Sequence, residues 1–203
     1  MPQYHLIYFD ARGRGELSRW LLEYGEIPYT EERISFGDWS VRKQTVPTGK
    51  VPILMIDGQP LAQSLAIARY LAKEVGLMPK DHLQAAFADA LADSIAEMMA
   101  AFYKNKMSSL AEDEKEKKFH EEITPTIIRP LLGDLNERLA GRSWYASDQM
   151  SWVDLMIAVE FGGLRKSYPK LLDDFPEVAA HVDKAMALPS IKAWINRRPD
   201  TFI

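Results

Sequence analysis

One tyrosine near the amino terminus has surroundings that can stabilise an anion. Tyr8 lies near the end of a run of strand-forming residues, and the turn after that run contains Gly13, Arg14 and Gly15. A phenol with an ordinary pKa of about 10 is still a hydrogen-bond donor at neutral pH. The helix predicted after the turn adds the positive end of its dipole, and Arg14 adds a full positive charge. These groups favour a negatively charged atom beside the Tyr8 hydroxyl.

A second anion site is predicted at Ser64. An apolar pattern through Leu65, Ala68 and Leu71 ends at Gly76, which predicts a helix with Ser64 as its cap. The hydroxyl of such a serine and the unpaired N–H groups of the first turn bind carboxylates and phosphates. We therefore expect a carboxylate at this helix start.

The composition excludes several classes of chemistry. The 203 residues include no cysteine, so any thiol chemistry needs a thiol supplied by a ligand. The four histidines show no metal-ligand spacing, and no metal is expected. Because 29 acidic and 25 basic residues are spread along the chain, nucleic acid is not an expected partner. With no leader-like start and no apolar window of about 18 residues, we expect a cytoplasmic protein without a membrane partner.

The elements that must position Tyr8 and Ser64 come from residues 1–78. Strands are predicted over residues 3–9, 27–34, 51–56 and 59–62, the last two joined as a hairpin at Asp57-Gly58. An apolar face at intervals of three and four residues predicts a helix from Glu16 to Tyr24, which Gly25 ends. The order strand, helix, strand, then strand, strand, helix predicts a thioredoxin-like α/β domain.

After about residue 80 the pattern becomes wholly helical. Helices are predicted over residues 82–107, 112–139, 151–166 and 175–187, with a bend or break at Pro125 and Pro130. Ser151 and Asp154 form a capping-box variant at the start of the third. The predicted division is an α/β domain over residues 1–78 and an all-α bundle over residues 82–203.

Several separated motifs occur together in a characteristic order and spacing. They are Tyr8-Phe9 with residues 12–16, Asp38-Trp39, residues 49–54, residues 63–71, residues 151–154 and residues 189–199. In this order and spacing they resemble the sigma class of cytosolic glutathione transferases, which includes the haematopoietic prostaglandin D synthases and similar invertebrate enzymes. The resemblance covers essentially the whole chain.

This resemblance implies that glutathione is the co-substrate and that Tyr8, supported by Arg14, holds its sulfur as the thiolate. The free thiol has a pKa of about 8.5, and lowering it by about two units takes roughly 2.7 kcal/mol of preference for the anion. The other glutathione-binding positions that it implies are Trp39, Lys43 and Lys50 at the glycyl end, Val51 before a cis Pro52 at the cysteinyl backbone, and Gln63 and Ser64 at the γ-glutamyl carboxylate.

The resemblance also implies an apolar electrophile as second substrate, bound between the domains. Its predicted lining is Phe9, Gly13, Met99 and Tyr103. A homodimer is expected, in which Asp93 or Glu97 reaches the γ-glutamyl ammonium of the neighbour's ligand. In vertebrate prostaglandin D synthases an aspartate cluster on this helix binds a divalent metal. Here the cluster is reduced to Asp93, with Ala96 and Glu97 at the other two positions, so little metal activation is expected.

Other functions remain open from sequence. Gly13 and Gly15 after a strand partly match a dinucleotide fingerprint, but Ser18 replaces its third glycine. A glutathione transferase fold can also serve as a ligand carrier or a crystallin with little turnover. The retained Tyr8 favours catalysis, and we rank general conjugation and peroxide reduction above prostaglandin D2 formation.

Overall fold

The structure, a computed structural model, describes residues 2–201. They form two compact units, the first made of residues 2–78 with 185–201 and the second of residues 79–184. The sequence assigned residues 185–203 to the helical domain, whereas the described part of this segment packs in the first unit, where its helix lies against the first helix of the chain. Across residues 2–201, no helix is both long and apolar enough to cross a bilayer.

The first unit contains a four-stranded mixed sheet with the order β2-β1-β3-β4. Strand β1 is parallel to β2, and β3 is antiparallel to both β1 and β4. This topology confirms the predicted thioredoxin-like domain. Its elements are β1 (Tyr4–Phe9), α1 (Glu16–Tyr24), β2 (Tyr29–Ile34), α2 (Trp39–Arg42), β3 (Ile53–Ile56), β4 (Gln59–Ala62), α3 (Ser64–Glu74) and the later α9 (Pro189–Arg197).

Local signals explain most of these boundaries. Asp57 and Gly58 have positive φ angles of 48° and 83°, as the two-residue β3–β4 turn requires. The prediction of Ser64 as the cap of α3 was wrong by one residue, because the helix begins at Ser64 and Gln63 is its cap. Gln63 leaves the strand with φ 76° and ψ 114°, so the chain turns before the serine is reached.

The second unit is helical. Its elements are α4 (His82–Lys106), α5 (Glu112–Lys118), a π-helical segment (Phe119–Ile128), α6 (Arg129–Leu139), α7 (Trp152–Ser167) and α8 (Pro176–Met186), whose last two residues are counted with the first unit. The break predicted near Pro125 takes the form of the π-helical segment, so residues 112–139 continue as one helical stretch. A proline has no N–H to donate, and local π geometry is one way in which a helix absorbs an interruption.

A buried carboxylate organises the start of α7. Asp154 accepts hydrogen bonds at 2.8 Å from both the N–H and the hydroxyl of Ser151, the residue that caps the helix. It also accepts one from the N–H of Tyr145 at 3.0 Å and lies 3.1 Å from Nε2 of His181. The side chain of Asp154 is fully buried. The predicted capping pair therefore also links α7 to α8.

Candidate active site

The strand register brings Tyr8 and two other predicted segments to one end of the sheet. Ile7 pairs with Ile53 across β1 and β3, and Ile53 pairs with Ala62 across β3 and β4. Tyr8 therefore follows the last position of β1 that pairs with β3, Pro52 immediately precedes β3, and Gln63 immediately follows β4. Neighbouring strands lie about 4.8 Å apart. The three segments thus lie side by side at the same end of the strands.

The Tyr8 hydroxyl is held by the turn that follows β1. The backbone N–H of Arg14 donates a hydrogen bond to the Tyr8 oxygen at 2.9 Å. The tyrosine is 7% exposed, whereas the Arg14 residue is exposed. Gly13 makes the approach possible, because it has a positive φ of 38° and a Cβ there would lie 2.5 Å from the Tyr8 oxygen. A phenol that accepts from an N–H is polarised to donate its own proton more strongly.

Arg19 lies beneath this turn. Its guanidinium is fully buried, with its carbon 5.7 Å from the centroid of the Tyr8 ring. It donates to the carbonyl oxygen of Ala11 at 2.8 Å and forms ion pairs with Glu16 at 3.0 Å and Glu31 at 2.6 Å. Burial alone would lower the pKa of Arg19, but Glu31 and Glu16 outweigh it and raise that pKa. Arg19 therefore stays charged inside the domain.

Sequence reasoning missed Arg19 and Glu16. The sequence signal that could have found them is a pair of opposite charges three residues apart within the predicted helix. In the structure, all of residues 16–22 of that helix are buried. Such a pair is rarely buried unless its partners are close by, so it marks a site where charges are paired inside the protein.

The glutathione positions predicted around Tyr8 lie in the first unit. The Val51–Pro52 peptide is cis, as predicted. Gln63 has a backbone conformation that is costly for a residue with a side chain, and such conformations cluster at ligand sites. The first intrahelical bond of α3 joins the N–H of Ile67 to Gln63, so the N–H of Ser64 precedes it and points out of the helix start.

The predicted glycyl-end residues follow β2 at the same end of the sheet as Tyr8, because Phe9 pairs with Ile34 at the ends of β1 and β2. Trp39 packs edge-on against Phe9, with ring centroids 5.0 Å apart. Lys43 ends α2 and Lys50 ends the turn that precedes Val51, and both lysines are exposed.

The predicted electrophile-site residues are divided between the two units. In the first unit, Phe9 stacks on Phe36 at 4.8 Å, and Phe36 is 57% exposed, an aromatic surface that the sequence did not indicate. Gly13 lies against Tyr8 in the same unit. In the second unit, Met99 and Tyr103 are one turn apart on α4, with Met99 buried and Tyr103 half-buried.

The predicted dimer residues also lie on α4. Asp93 and Glu97 are one turn apart and both are exposed. Within residues 2–201, no group of three or more histidine, aspartate or glutamate side chains is placed to hold a metal ion.

Two family profiles match most of the chain. The profile described as glutathione S-transferase, N-terminal domain, matches residues 4–73. The profile described as glutathione S-transferase, C-terminal domain, matches residues 92–198.

Individual relatives are similar over their full lengths. The hematopoietic prostaglandin D synthase of Gallus gallus is 40% identical, with 100% of both chains covered. The probable glutathione S-transferase 9 of Caenorhabditis elegans is 33% identical, with 99% of both chains covered. Among solved structures, rat hPGDS complexed with a quinoline superposes with a TM-score of 0.91 at 35% identity over 100% of both chains. The monomeric Na-GST-3 of the hookworm Necator americanus gives 0.90 at 32%, covering 99% of this chain and 100% of its own.

Proposed function

The chain belongs to the glutathione S-transferase family, and we propose that it transfers the sulfur of glutathione to apolar electrophiles with Tyr8 holding that sulfur as the thiolate. The observation that carries the proposal is the hydrogen bond from the Arg14 N–H to the Tyr8 oxygen at 2.9 Å. The Val51–Pro52 and Gln63–Ser64 segments lie at the same end of the sheet. The family supplies glutathione as co-substrate.

The chemistry asked of Tyr8 is moderate. A thiol with a pKa of about 8.5 is only a few per cent thiolate at neutral pH, and each unit by which that pKa is lowered takes about 1.4 kcal/mol of preference for the anion. Hydrogen bonds to charged groups contribute about 1.5–3 kcal/mol. One donor such as the Tyr8 hydroxyl therefore supplies a lowering of one to two units, and the positive charge of Arg14 adds to it.

The remaining groups of the site match the two charged ends of glutathione. A helix start at Ser64 suits the γ-glutamyl carboxylate, because its free N–H groups and dipole both favour an anion. The exposed Lys43 and Lys50 suit the glycyl carboxylate, and Trp39 lies one helical turn before Lys43. Between the two ends, Val51 offers its backbone to the cysteinyl residue. The tripeptide would then extend across this end of the sheet with its sulfur at Tyr8.

The proposal is tested with Tyr8→Phe. We expect the variant to bind glutathione while the pKa of the bound thiol, followed by the ultraviolet absorbance of the thiolate, rises by about one to two units. Conjugation of 1-chloro-2,4-dinitrobenzene should fall by a factor of about 10 to 100 at neutral pH.

Tyr29→Phe is the matched control. Tyr29 pairs with Tyr4, at the end of the sheet opposite Tyr8, and its hydroxyl donates to Glu23. The same loss of a hydroxyl there should leave the thiol pKa unchanged. If wild type and Tyr8→Phe are equally slow while both bind glutathione, the chain is a non-catalytic carrier of the same fold, and the proposal fails.

Prostaglandin H2 to D2 isomerisation is a second candidate. The observation that favours it is the full-length identity to several proteins named hematopoietic prostaglandin D synthase, at 36–40%. Product analysis after incubation with prostaglandin H2 and glutathione decides between the candidates. Formation of prostaglandin D2 supports the isomerase, and its absence at high enzyme concentration leaves general conjugation.

We also propose a homodimer in the cytoplasm, where reduced glutathione is maintained. Leu83 and Phe87 expose 62% and 48% of their surface one turn apart on α4, the helix that also carries Asp93 and Glu97. An apolar patch on a helix that carries charged residues further along suits a contact with a second copy. Light scattering should give twice the chain mass for the wild type. Phe87→Glu should lower the measured mass toward that of a single chain, because it places a charge in the proposed contact. A single-chain mass for the wild type would place it with monomeric relatives.

A further inference from the structure

The carboxylate of Glu16 joins the two ends of the first unit. Glu16 is the first residue of α1, directly after the turn that holds the Tyr8 hydroxyl, and it is 1% exposed. It accepts a hydrogen bond from the indole N–H of Trp194 on α9 at 2.9 Å and another from the indole N–H of Trp20 at 3.2 Å. The guanidinium of Arg198, just after α9, completes its shell with an ion pair.

Arg19 connects this carboxylate to the residues around Tyr8. Besides Glu16, it donates to the carbonyl oxygens of Phe9 at 3.4 Å, Ala11 at 2.8 Å and Arg12 at 3.4 Å. These residues form the link between β1 and the turn. A single buried guanidinium therefore fixes the backbone that leads from the Tyr8 ring to the Arg14 N–H.

The cluster holds nearly balanced charges, so its effect on Tyr8 is mainly geometric. The positive charges of Arg19 and Arg198 are offset by Glu16 and Glu31. Glu31 also pairs with Arg33, and Arg33 in turn pairs with Asp10. Burial alone would raise the pKa of Glu16, but Arg19 and Arg198 outweigh it and lower that pKa, so the carboxylate remains charged at neutral pH. A buried anion depends on its partners. Removing one of them forces the others to rearrange.

We propose that Arg198 is a positioning residue for Tyr8, acting through Glu16 and Arg19. The inference rests on the proposed function of Tyr8, since only a catalytic tyrosine gives its position a chemical readout. Loss of the Arg198 ion pair leaves Arg19 as the positively charged partner of Glu16 beside the two indole N–H donors, and this draws the Arg19 guanidinium away from the carbonyl groups of the link. The Arg14 N–H and the Tyr8 oxygen then lose their alignment, and the bound thiolate is less well stabilised.

The chain offers a matched control at the preceding residue. Arg197 has the same side chain and pairs with Glu23, with 55% of its side chain exposed. The Arg198 side chain is 15% exposed and pairs with Glu16. The Arg197 guanidinium also lies 5.2 Å from the centroid of the Trp194 ring, but it forms no ion pair with Glu16. Arg198→Met and Arg197→Met therefore remove the same charge from adjacent positions, and only the first removes a charged partner of Glu16.

The experiment measures the pKa of the thiol in the enzyme–glutathione complex for wild type, Tyr8→Phe, Arg198→Met and Arg197→Met. We expect Arg198→Met to raise it by about 0.5 unit, a smaller rise than that of Tyr8→Phe, with no change for Arg197→Met. A purely structural role would reduce the active fraction and the melting temperature without moving this pKa. Arg198→Lys keeps the charge but loses the planar guanidinium, so it should raise the thiol pKa by less than Arg198→Met does. This variant replaces Arg198→Met in the test if Arg198→Met does not fold.

Two outcomes separate the failures. If Tyr8→Phe raises the thiol pKa but the Arg198 variants match Arg197→Met, the positioning role is overturned and the function of Tyr8 stands. If Tyr8→Phe itself leaves the thiol pKa unchanged, the proposed function is overturned, and the positioning role is overturned with it.

Discussion

Substitution of Gly15 by alanine tests whether the position of the Tyr8 ring sets the rate. Gly15 has φ −87°, which any residue adopts, so the added methyl group brings no backbone strain. A Cβ there would lie 2.5 Å from Cδ1 and 2.7 Å from Cγ of Tyr8. Carbon atoms in contact prefer about 3.5–4.0 Å. The ring must therefore move by roughly 1 Å, because its inner atoms cannot swing aside as a side-chain tip does.

The magnitude follows from that movement. A shift of about 1 Å takes the 2.9 Å bond between the Arg14 N–H and the Tyr8 oxygen beyond hydrogen-bond range. A misplacement of this size costs about 100-fold in rate, which corresponds to about 2.7 kcal/mol in the barrier. Overpacking in a filled site should also lower the free energy of unfolding by about 1–3 kcal/mol.

The assay is kcat/KM for conjugation of 1-chloro-2,4-dinitrobenzene, with urea unfolding measured in parallel. Gly163→Ala in α7 is the matched control, since a Cβ at Gly163 meets no atom within 4 Å. It should leave the rate unchanged and stabilise the helix by about 1 kcal/mol. If Gly15→Ala retains activity within threefold of wild type, the position of the Tyr8 ring is not what sets the rate.

Two further predictions concern buried carboxylates. The folded-state pKa of Glu16 lies below its ordinary value of 4.5, so its stabilising contribution is present above that pH and is lost as the pH falls through the lower folded-state value. Glu16→Gln should therefore be less stable than wild type at neutral pH but lose less on acidification from about pH 5 to pH 3, and equal losses in urea titrations would contradict this. Asp154→Ala leaves the buried donors of Ser151 and Tyr145 unpaired and should lower the free energy of unfolding by about 3 kcal/mol or more. Asp134→Ala, which removes an exposed pair with Arg138, should cost under about 1 kcal/mol, and similar losses for the two variants would refute the importance of burial.

Features with a local cause were predictable from the sequence. The Asp57-Gly58 turn needs positive φ angles, and the apolar faces of α1 and α3 repeat at helical spacing. The thioredoxin-like topology follows once these elements are placed in order. The anion-stabilising surroundings of Tyr8 were visible because its turn lies within seven residues of it. The roles of the individual glutathione and electrophile residues stay predictions.

Features that depend on distant partners were not predictable. Glu16 appeared only as the start of an amphipathic helix, because its partners Trp194 and Arg198 are far along the chain. The sequence favoured Ser64 as the cap of α3 because serine is a common cap, but tertiary contacts place Gln63 there in a conformation that no propensity favours. Pro125 indicated an interruption, and its form as a π-helical segment depends on packing against α4.

The first unit is built from two separated stretches of the chain, and this affects how it forms during synthesis on the ribosome. Trp194 and Arg198, which surround the Glu16 carboxylate, are translated only after about a hundred residues of the helical unit. At the usual elongation speed of about 5–20 residues per second, this delay lasts about 5–20 s. During that time the nascent sheet and α1 have a buried-charge site without half of its partners. The nascent protein therefore acquires its complete Tyr8 environment only after the helical unit has been synthesised.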